Sequence, residues 1–153
     1  MTQPIELPYT TSNMVTIQQR IDETQESIDK ATKDIAKYKS AISELKLGEV
    51  TRTLLDDLHH AGKLLHKDTI SAQYKVRRRY IDLLGTRSVR TDPNGGVFFS
   101  DLACPLEELE LEDTYYEHLV TYMTLLRDLE RTLITLSVDI GQESIKLDLG
   151  KKR

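Results

Sequence analysis

The chain has 153 residues, an ordinary length for a single domain. Hydrophobic residues make up 39% of the sequence, charged residues 30% and aromatic residues only 6%. Leucine supplies 22 residues, whereas glycine (7) and proline (4) are scarce, which excludes a β-sandwich, a collagen-like rod and a fully disordered chain. The formal net charge of −4 gives no overall attraction to nucleic acid or to an anionic membrane.

The cellular compartment is constrained by the single cysteine and by the N-terminal residues. Cys104 is the only cysteine, so an internal disulfide framework is excluded and a reducing compartment is favoured. The first residues lack the basic and apolar regions of a secretion signal. No run reaches the roughly 20 apolar residues of a membrane helix. We therefore expect an intracellular protein, cytoplasmic or nuclear, without a membrane anchor.

The first predicted helix carries an unbroken heptad pattern. Apolar residues recur at alternating steps of three and four, and only Thr24 among them is polar. A stripe this narrow is typical of a coiled-coil seam, which predicts a helix over residues 13–47 and an interface for a partner helix. The seam positions are Met14, Ile17, Ile21, Thr24, Ile28, Ala31, Ile35, Tyr38, Ile42 and Leu45. Ser12 or Asn13 is expected to cap this helix.

A second helix is predicted over residues 51–84. Gly48 suits the left-handed residue that follows a helix, and Thr51 or Thr53 can cap the next one, so a short turn is expected between them. Gly85 is expected to end the second helix. Gly62 lies within its apolar stripe, where it either lets a neighbouring helix come close or merely weakens the helix by about 1 kcal/mol.

Residues 86–104 have a different composition. Asp92, Pro93, Asn94 and Gly95 form a strong turn signal, flanked by β-branched and aromatic residues. This predicts a small β-hairpin or an ordered loop. Phe98 and Phe99 are adjacent, so in a strand they point to opposite faces, and one is expected to meet a partner.

The third helix is predicted over residues 105–140. Its stripe comprises Tyr115, Leu119, Tyr122, Leu126, Leu129, Leu133, Leu136 and Ile140. Ile134 and Val138 are expected to widen the buried face, and Gly141 to end the helix. The predicted fold is therefore an all-α, elongated antiparallel three-helix bundle or coiled coil. It consists of an extended leader (1–12), one helical domain (13–141) and a flexible tail (142–153).

The sequence contains few residues in patterns that are typical of catalysis or metal binding. No two of the histidines have the i, i+4 spacing of a helical metal pair, and no phosphate-binding, dinucleotide-binding or serine-hydrolase motif occurs. Asp56 and Asp57 beside His59 and His60 form the one cluster of acids and imidazoles. We predict no catalytic residue, no cofactor and no metal.

The most distinctive local feature of the sequence is a cluster of basic residues, called the basic cluster below. Its residues are Lys75, Arg77, Arg78, Arg79, Arg87 and Arg90. They can pair internally with the acidic run at residues 107–113, because one loop joins the two helix ends. The alternative is a patch that binds anions or a partner. We favour internal pairing over nucleic-acid binding.

These features together predict a non-enzymatic adaptor or scaffold subunit that assembles with other helical chains, in a homo- or hetero-oligomer. A nucleic-acid-associated protein that uses residues 74–90 is an alternative. Two helices bridged by a hairpin also resemble prefoldin-type chaperones in outline, which implies a holding chaperone, although the additional first helix departs from that plan.

Overall fold

The computed structural model describes the backbone of residues 11–91 and 106–151 and the side chains of residues 15–85 and 107–150. These residues form three helices: α1 Thr11–Leu47, α2 Arg52–Thr91 and α3 Leu106–Lys151. Helices account for 97% of the described residues, and no strand occurs among them. The prediction of an all-α fold with three helices is confirmed for these residues.

The turn between α1 and α2 is tight and forms without a left-handed residue. The Gly48 N–H donates to the Glu44 carbonyl at 2.8 Å, which extends the helical bonding of α1 by one residue. Gly48 does not have a positive φ, so the predicted left-handed glycine is wrong. Thr51 caps α2, because its hydroxyl accepts a hydrogen bond from the Leu54 N–H at 3.1 Å. Thr53 lies inside the helix.

α1 begins at Thr11, slightly earlier than predicted. Ser12 and Asn13, the expected caps, therefore lie within the helix, and the predicted leader is shorter by two residues. Differences of one or two residues at a helix end are ordinary. Residues 1–10 lie outside the described part of the chain.

α2 continues past Gly85 to Thr91, so the predicted end at residue 84 is wrong. Residues 86–91, which fall within the predicted β-hairpin or ordered loop, are helical instead. A glycine in a helix costs about 1 kcal/mol but does not prevent the helix from continuing. Proline is a stronger stop, because the residue before it is disfavoured in the α region, and α2 ends shortly before Pro93. Residues 92–105, including Phe98 and Phe99, lie outside the described residues.

α3 continues past Gly141 to Lys151, so the predicted end at residue 140 and the flexible tail are wrong over residues 141–151. The cause is a set of contacts that hold this segment. The Arg52 guanidinium donates to the Ser144 hydroxyl and to the Asp148 carboxylate, each at 2.6 Å. Leu147 packs against the hydrophobic core. These interactions outweigh the weak helix preference of one glycine.

The chain divides into two compact units, and each helix contributes to both. The first unit contains residues 11–28, 75–91 and 106–123 of the described chain. The second contains residues 29–74 and 124–151.

The core of the second unit is a cluster of apolar side chains from all three helices. α3 contributes Leu129, Leu133, Leu136 and Ile140, α1 contributes Ile35, Tyr38 and Leu45, and α2 contributes Leu55. α2 and α3 run antiparallel here, because Arg52 bonds to Asp148 whereas Gln73 bonds to Glu130 at 2.9 Å. Packing of α1 and of α2 on α3 fits a helical bundle.

Gly62 lies within this core. It is buried, and a Cβ atom at this position would lie 3.4 Å from Cδ2 of Leu136. A Cβ atom at that distance makes an ordinary van der Waals contact, so the packing does not require glycine here and both interpretations of Gly62 stay predictions.

The first unit has a smaller described core, with Ile21, Ile28, Val76, Tyr115 and Leu119 buried. His118 Nε2 lies 3.1 Å from Oε1 of Gln25, which connects α3 to α1. The hydroxyl groups of Tyr80 and Tyr116 lie 3.0 Å apart, which connects α2 to α3.

Three threonines are buried within the two units. The hydroxyl groups of Thr24, Thr69 and Thr132 each donate to a backbone carbonyl four residues earlier in the same helix, at 2.7–2.9 Å. Their polarity is therefore satisfied locally, as burial requires.

A substitution at Gly85 tests the corrected end of α2. Gly85→Ala is expected to raise the free energy of unfolding by about 0.5–1 kcal/mol, because alanine is the better helix former and nothing lies within 4 Å of the added Cβ. Urea denaturation measures the effect. A loss of stability would place Gly85 in a left-handed conformation at a helix end and contradict the continuous helix.

Candidate functional site

The heptad seam of α1, which was predicted as a partner interface, lies largely inside the chain's own packing. Ile21, Ile28, Ile35, Tyr38 and Leu45 are buried. The remaining seam residues with described side chains are half-buried or buried: Ile17 and Ile42 are half-buried, and Thr24 and Ala31 are buried. The side chain of Met14 lies outside the described residues. Use of this seam by another chain stays a prediction, and it requires the seam to open.

The basic cluster lies on exposed positions of α2 in the first unit. Lys75, Arg77, Arg78 and Arg79 are all exposed, while Val76 between them is buried and fixes the orientation of the helix. Three consecutive residues span a wide arc of a helix, so the arginines cannot all face one neighbour. The side chains of Arg87 and Arg90 lie outside the described residues.

Two exposed apolar side chains accompany this cluster. Ile81 is 60% exposed and Leu84 is 41% exposed. Arg77, Ile81 and Leu84 follow one another at helical i, i+4, i+7 spacing, so they share one side of α2. The outer face of α2 in this unit therefore combines apolar side chains with cations.

The acidic run at the start of α3 is divided between two environments. Glu107, Glu110 and Asp113 are exposed, but Glu108 and Glu112 are buried. A buried carboxylate requires a partner, and neither of these two is without one. Internal pairing of the arginines with residues 107–113 stays a prediction.

Sequence reasoning missed the burial of these two glutamates. The available signal was spacing, because residues 108, 112, 115 and 119 continue one helical stripe. The prediction treated all the acidic residues of this run as exposed because they are charged, although the spacing of residues 108 and 112 places them on the buried face.

A pair of tyrosines joins α2 and α3 in the first unit. The rings of Tyr80 and Tyr116 have centroids 5.1 Å apart and are tilted by 35°. The hydrogen bond to Tyr116 is the main cause that raises the pKa of Tyr80 above 10.0, with smaller contributions from desolvation and from the neighbouring phenol. The hydrogen bond and the ring contact connect the two helices.

Two of the three histidines of the second unit lie at a groove between α2 and α3. His59 is exposed and His66 is half-buried, and both line the groove together with Lys63, Ile134 and Val138. The groove has a volume of about 260 Å³. Within the described residues, no group of three or more His, Cys, Asp and Glu side chains is arranged to hold a metal ion.

A second apolar stripe follows the outer face of α3 in the same unit. Ile134 and Val138, expected in the buried face, are 50% and 54% exposed, so that expectation is wrong. Their neighbours Leu133 and Leu136 occupy the buried positions instead. Ile145 and Leu149, in the segment predicted to be a tail, are also exposed.

No helix in the described part of the chain is long and apolar enough to cross a membrane.

The comparisons identify no relative. Comparison with known proteins gives no matching family model, no similar curated protein and no similar solved structure.

Substitution in the α1 seam tests whether it is packed within the chain. Ile35→Ala is expected to lower the free energy of unfolding by about 2–4 kcal/mol, because it leaves a cavity in a packed core. The matched control is Leu64→Ala on α2 of the same unit, which is 54% exposed and should change stability by less than about 0.5 kcal/mol.

Chemical denaturation of both variants at low protein concentration makes this comparison. Equal, small effects would mean that the seam is not buried within the chain.

Proposed function

We propose that this chain is a non-enzymatic adaptor or scaffold subunit that assembles with other helical chains in a larger intracellular complex. The observation that carries the proposal is the outer face of α2 in the first unit. Ile81 and Leu84 are exposed there beside exposed Arg77 and Arg78. Apolar groups surrounded by charge are typical of surfaces that bind proteins.

The chemistry of the face defines the kind of partner that suits it. Side chains at i, i+4 and i+7 spacing match an amphipathic helix laid along α2. The arginines favour acidic residues at the edges of that helix, since guanidinium groups bind carboxylates in a bidentate geometry. A coiled-coil pairing with an acidic helical chain is thus the association that we propose.

Affinity capture tests the adaptor function. A tagged full-length chain is captured from native extract, and co-purifying proteins are identified by mass spectrometry and then reconstituted as purified components. We expect a helical, acidic partner in fixed stoichiometry. Ile81→Glu combined with Leu84→Glu should weaken its binding at least tenfold, because both side chains meet the partner's apolar face.

Leu64→Glu is the matched control, since Leu64 is exposed on the same helix in the other unit. Loss of binding in the control as well, or a partner whose affinity does not respond to the double substitution, would refute this interface.

Nucleic-acid binding is a second candidate, favoured by the clustering of Lys75, Arg77, Arg78 and Arg79 at exposed positions. Binding through phosphate contacts weakens steeply with salt. Fluorescence anisotropy with labelled single-stranded RNA and duplex DNA, at about 50 and 200 mM salt, measures this dependence. For the adaptor we expect no appreciable affinity at the higher salt. Salt-sensitive, micromolar binding that disappears on replacing Arg77, Arg78 and Arg79 with glutamine would favour the second candidate.

A further inference from the structure

We propose that the outer face of α3 in the second unit is a self-association surface, on which a second copy of the chain packs antiparallel about Gly141. This face is separate from the α2 face of the first unit on which the proposed function depends. The inference is therefore independent of that function.

The surface is a continuous apolar stripe. Ile134, Val138, Ile145 and Leu149 are 50%, 54%, 61% and 57% exposed. Together with Gly141 they fall within an arc of about 80° on the helix. Ile134 and Val138 also line one side of the groove between α2 and α3. Single exposed apolar residues are ordinary, but four at helical spacing on one stripe are typical of a contact surface.

The chain's own core does not use this stripe. Leu133, Leu136 and Ile140 on the inner side of α3 already pack against α1 and α2. The far end of the stripe is held in helical form, because Arg52 binds Ser144 and Asp148 at 2.6 Å. The stripe is thus presented on an ordered helix.

The spacing of the stripe is self-complementary. Counted from the point between Gly141 and Gln142, Val138 and Ile145 lie equally far on either side, and so do Ile134 and Leu149. A two-fold axis at this point, which makes the helices antiparallel, therefore sets each apolar residue against an apolar residue of the other copy. An unrelated partner helix would not require this symmetry.

Gly141 lies at the centre of the proposed contact. A Cβ atom at this position would have nothing within 4 Å, so the glycine is not explained by packing inside the chain. At the two-fold point, the absence of a side chain lets two backbones approach closely.

The charges beside the stripe favour the antiparallel orientation. Asp56 and Lys63 are exposed and lie two turns apart on the same side of α2. Because α2 runs antiparallel to α3, Asp56 lies toward the Ile145 end of the stripe and Lys63 toward the Ile134 end. A two-fold axis perpendicular to α3 leaves the α2 helices of both copies on the same side of the contact, so Lys63 of one copy lies toward Asp56 of the other.

The expected affinity follows from the size of the contact. The stripe spans residues 134–149, about 24 Å of helix. A helix pair of this length buries on the order of 1,000 Å² in total, the lower bound for a specific interface. We therefore expect a reversible dimer with a dissociation constant in the micromolar range.

Sedimentation equilibrium of the purified full-length chain tests for the dimer. The protein concentration is varied over about 1–200 μM, which covers the expected dissociation constant. The wild type is expected to convert from monomer to dimer within this range. Val138→Glu should weaken dimerisation at least tenfold, and at the lowest concentration, where the wild type is monomeric, it should leave the melting temperature nearly unchanged because the side chain is 54% exposed. Leu64→Glu, the matched control, should dimerise as the wild type does. A wild type that remains monomeric throughout, or a dimer that is unaffected by Val138→Glu, overturns the proposal.

Disulfide trapping tests the orientation and remains decisive if Val138→Glu fails to fold. In a Cys104→Ser background, Val138→Cys and Ile145→Cys chains are mixed under mild oxidation. Crosslinks between the two different chains are expected to form several-fold faster than crosslinks between identical chains. Preferential pairing of identical chains indicates a parallel contact and overturns the antiparallel arrangement.

Discussion

The inner leucine stripe of α3 is the feature on which the second unit depends. Leu129, Leu133, Leu136 and Ile140 are contacted by side chains of both other helices, so α3 supplies the shared wall of the core. Burial of apolar area is the dominant favourable term in folding, and most helical stability comes from such packing rather than from intrinsic preference. α1 and α2 are long helices with many charged residues, and they are ordered here because α3 provides an apolar surface for each.

This dependence explains which sequence predictions succeeded. The heptads of α1 predict a helix because apolar spacing reports directly on the face that is buried, and Ile28 and Ile35 are indeed buried. The same pattern does not specify which helix packs against the seam. An isoleucine seam suits a helix of the same chain as well as one of another chain, so the packing of α1 against α3 could not be derived from spacing alone.

The failures have two physical causes. Glycine was given too much weight as a stop signal: Gly85 and Gly141 both lie inside helices, because a cost of about 1 kcal/mol is small beside tertiary contacts such as those of Arg52 and Leu147. Residue type was also given too much weight relative to the position of a residue around the helix axis. Glu108 is buried and Ile134 is exposed, since the angle around the helix axis decides which side chain faces the core. The exposed apolar groups that carry both proposals could therefore not be separated from core residues without the structure.

The buried threonines have a consequence for helix register. A polar residue in a helical seam can select one alignment if it bonds across the interface, as a buried asparagine does in coiled coils. Thr24, Thr69 and Thr132 bond to carbonyl groups of their own helices instead, so their hydroxyl groups are equally satisfied whichever residue lies opposite. They add polarity to the core without selecting an alignment. In the second unit, selection comes from groups that reach between helices, such as Gln73 to Glu130 and Arg52 to Asp148, and one-turn sliding of α2 along α3 would break these bonds while leaving every threonine bonded.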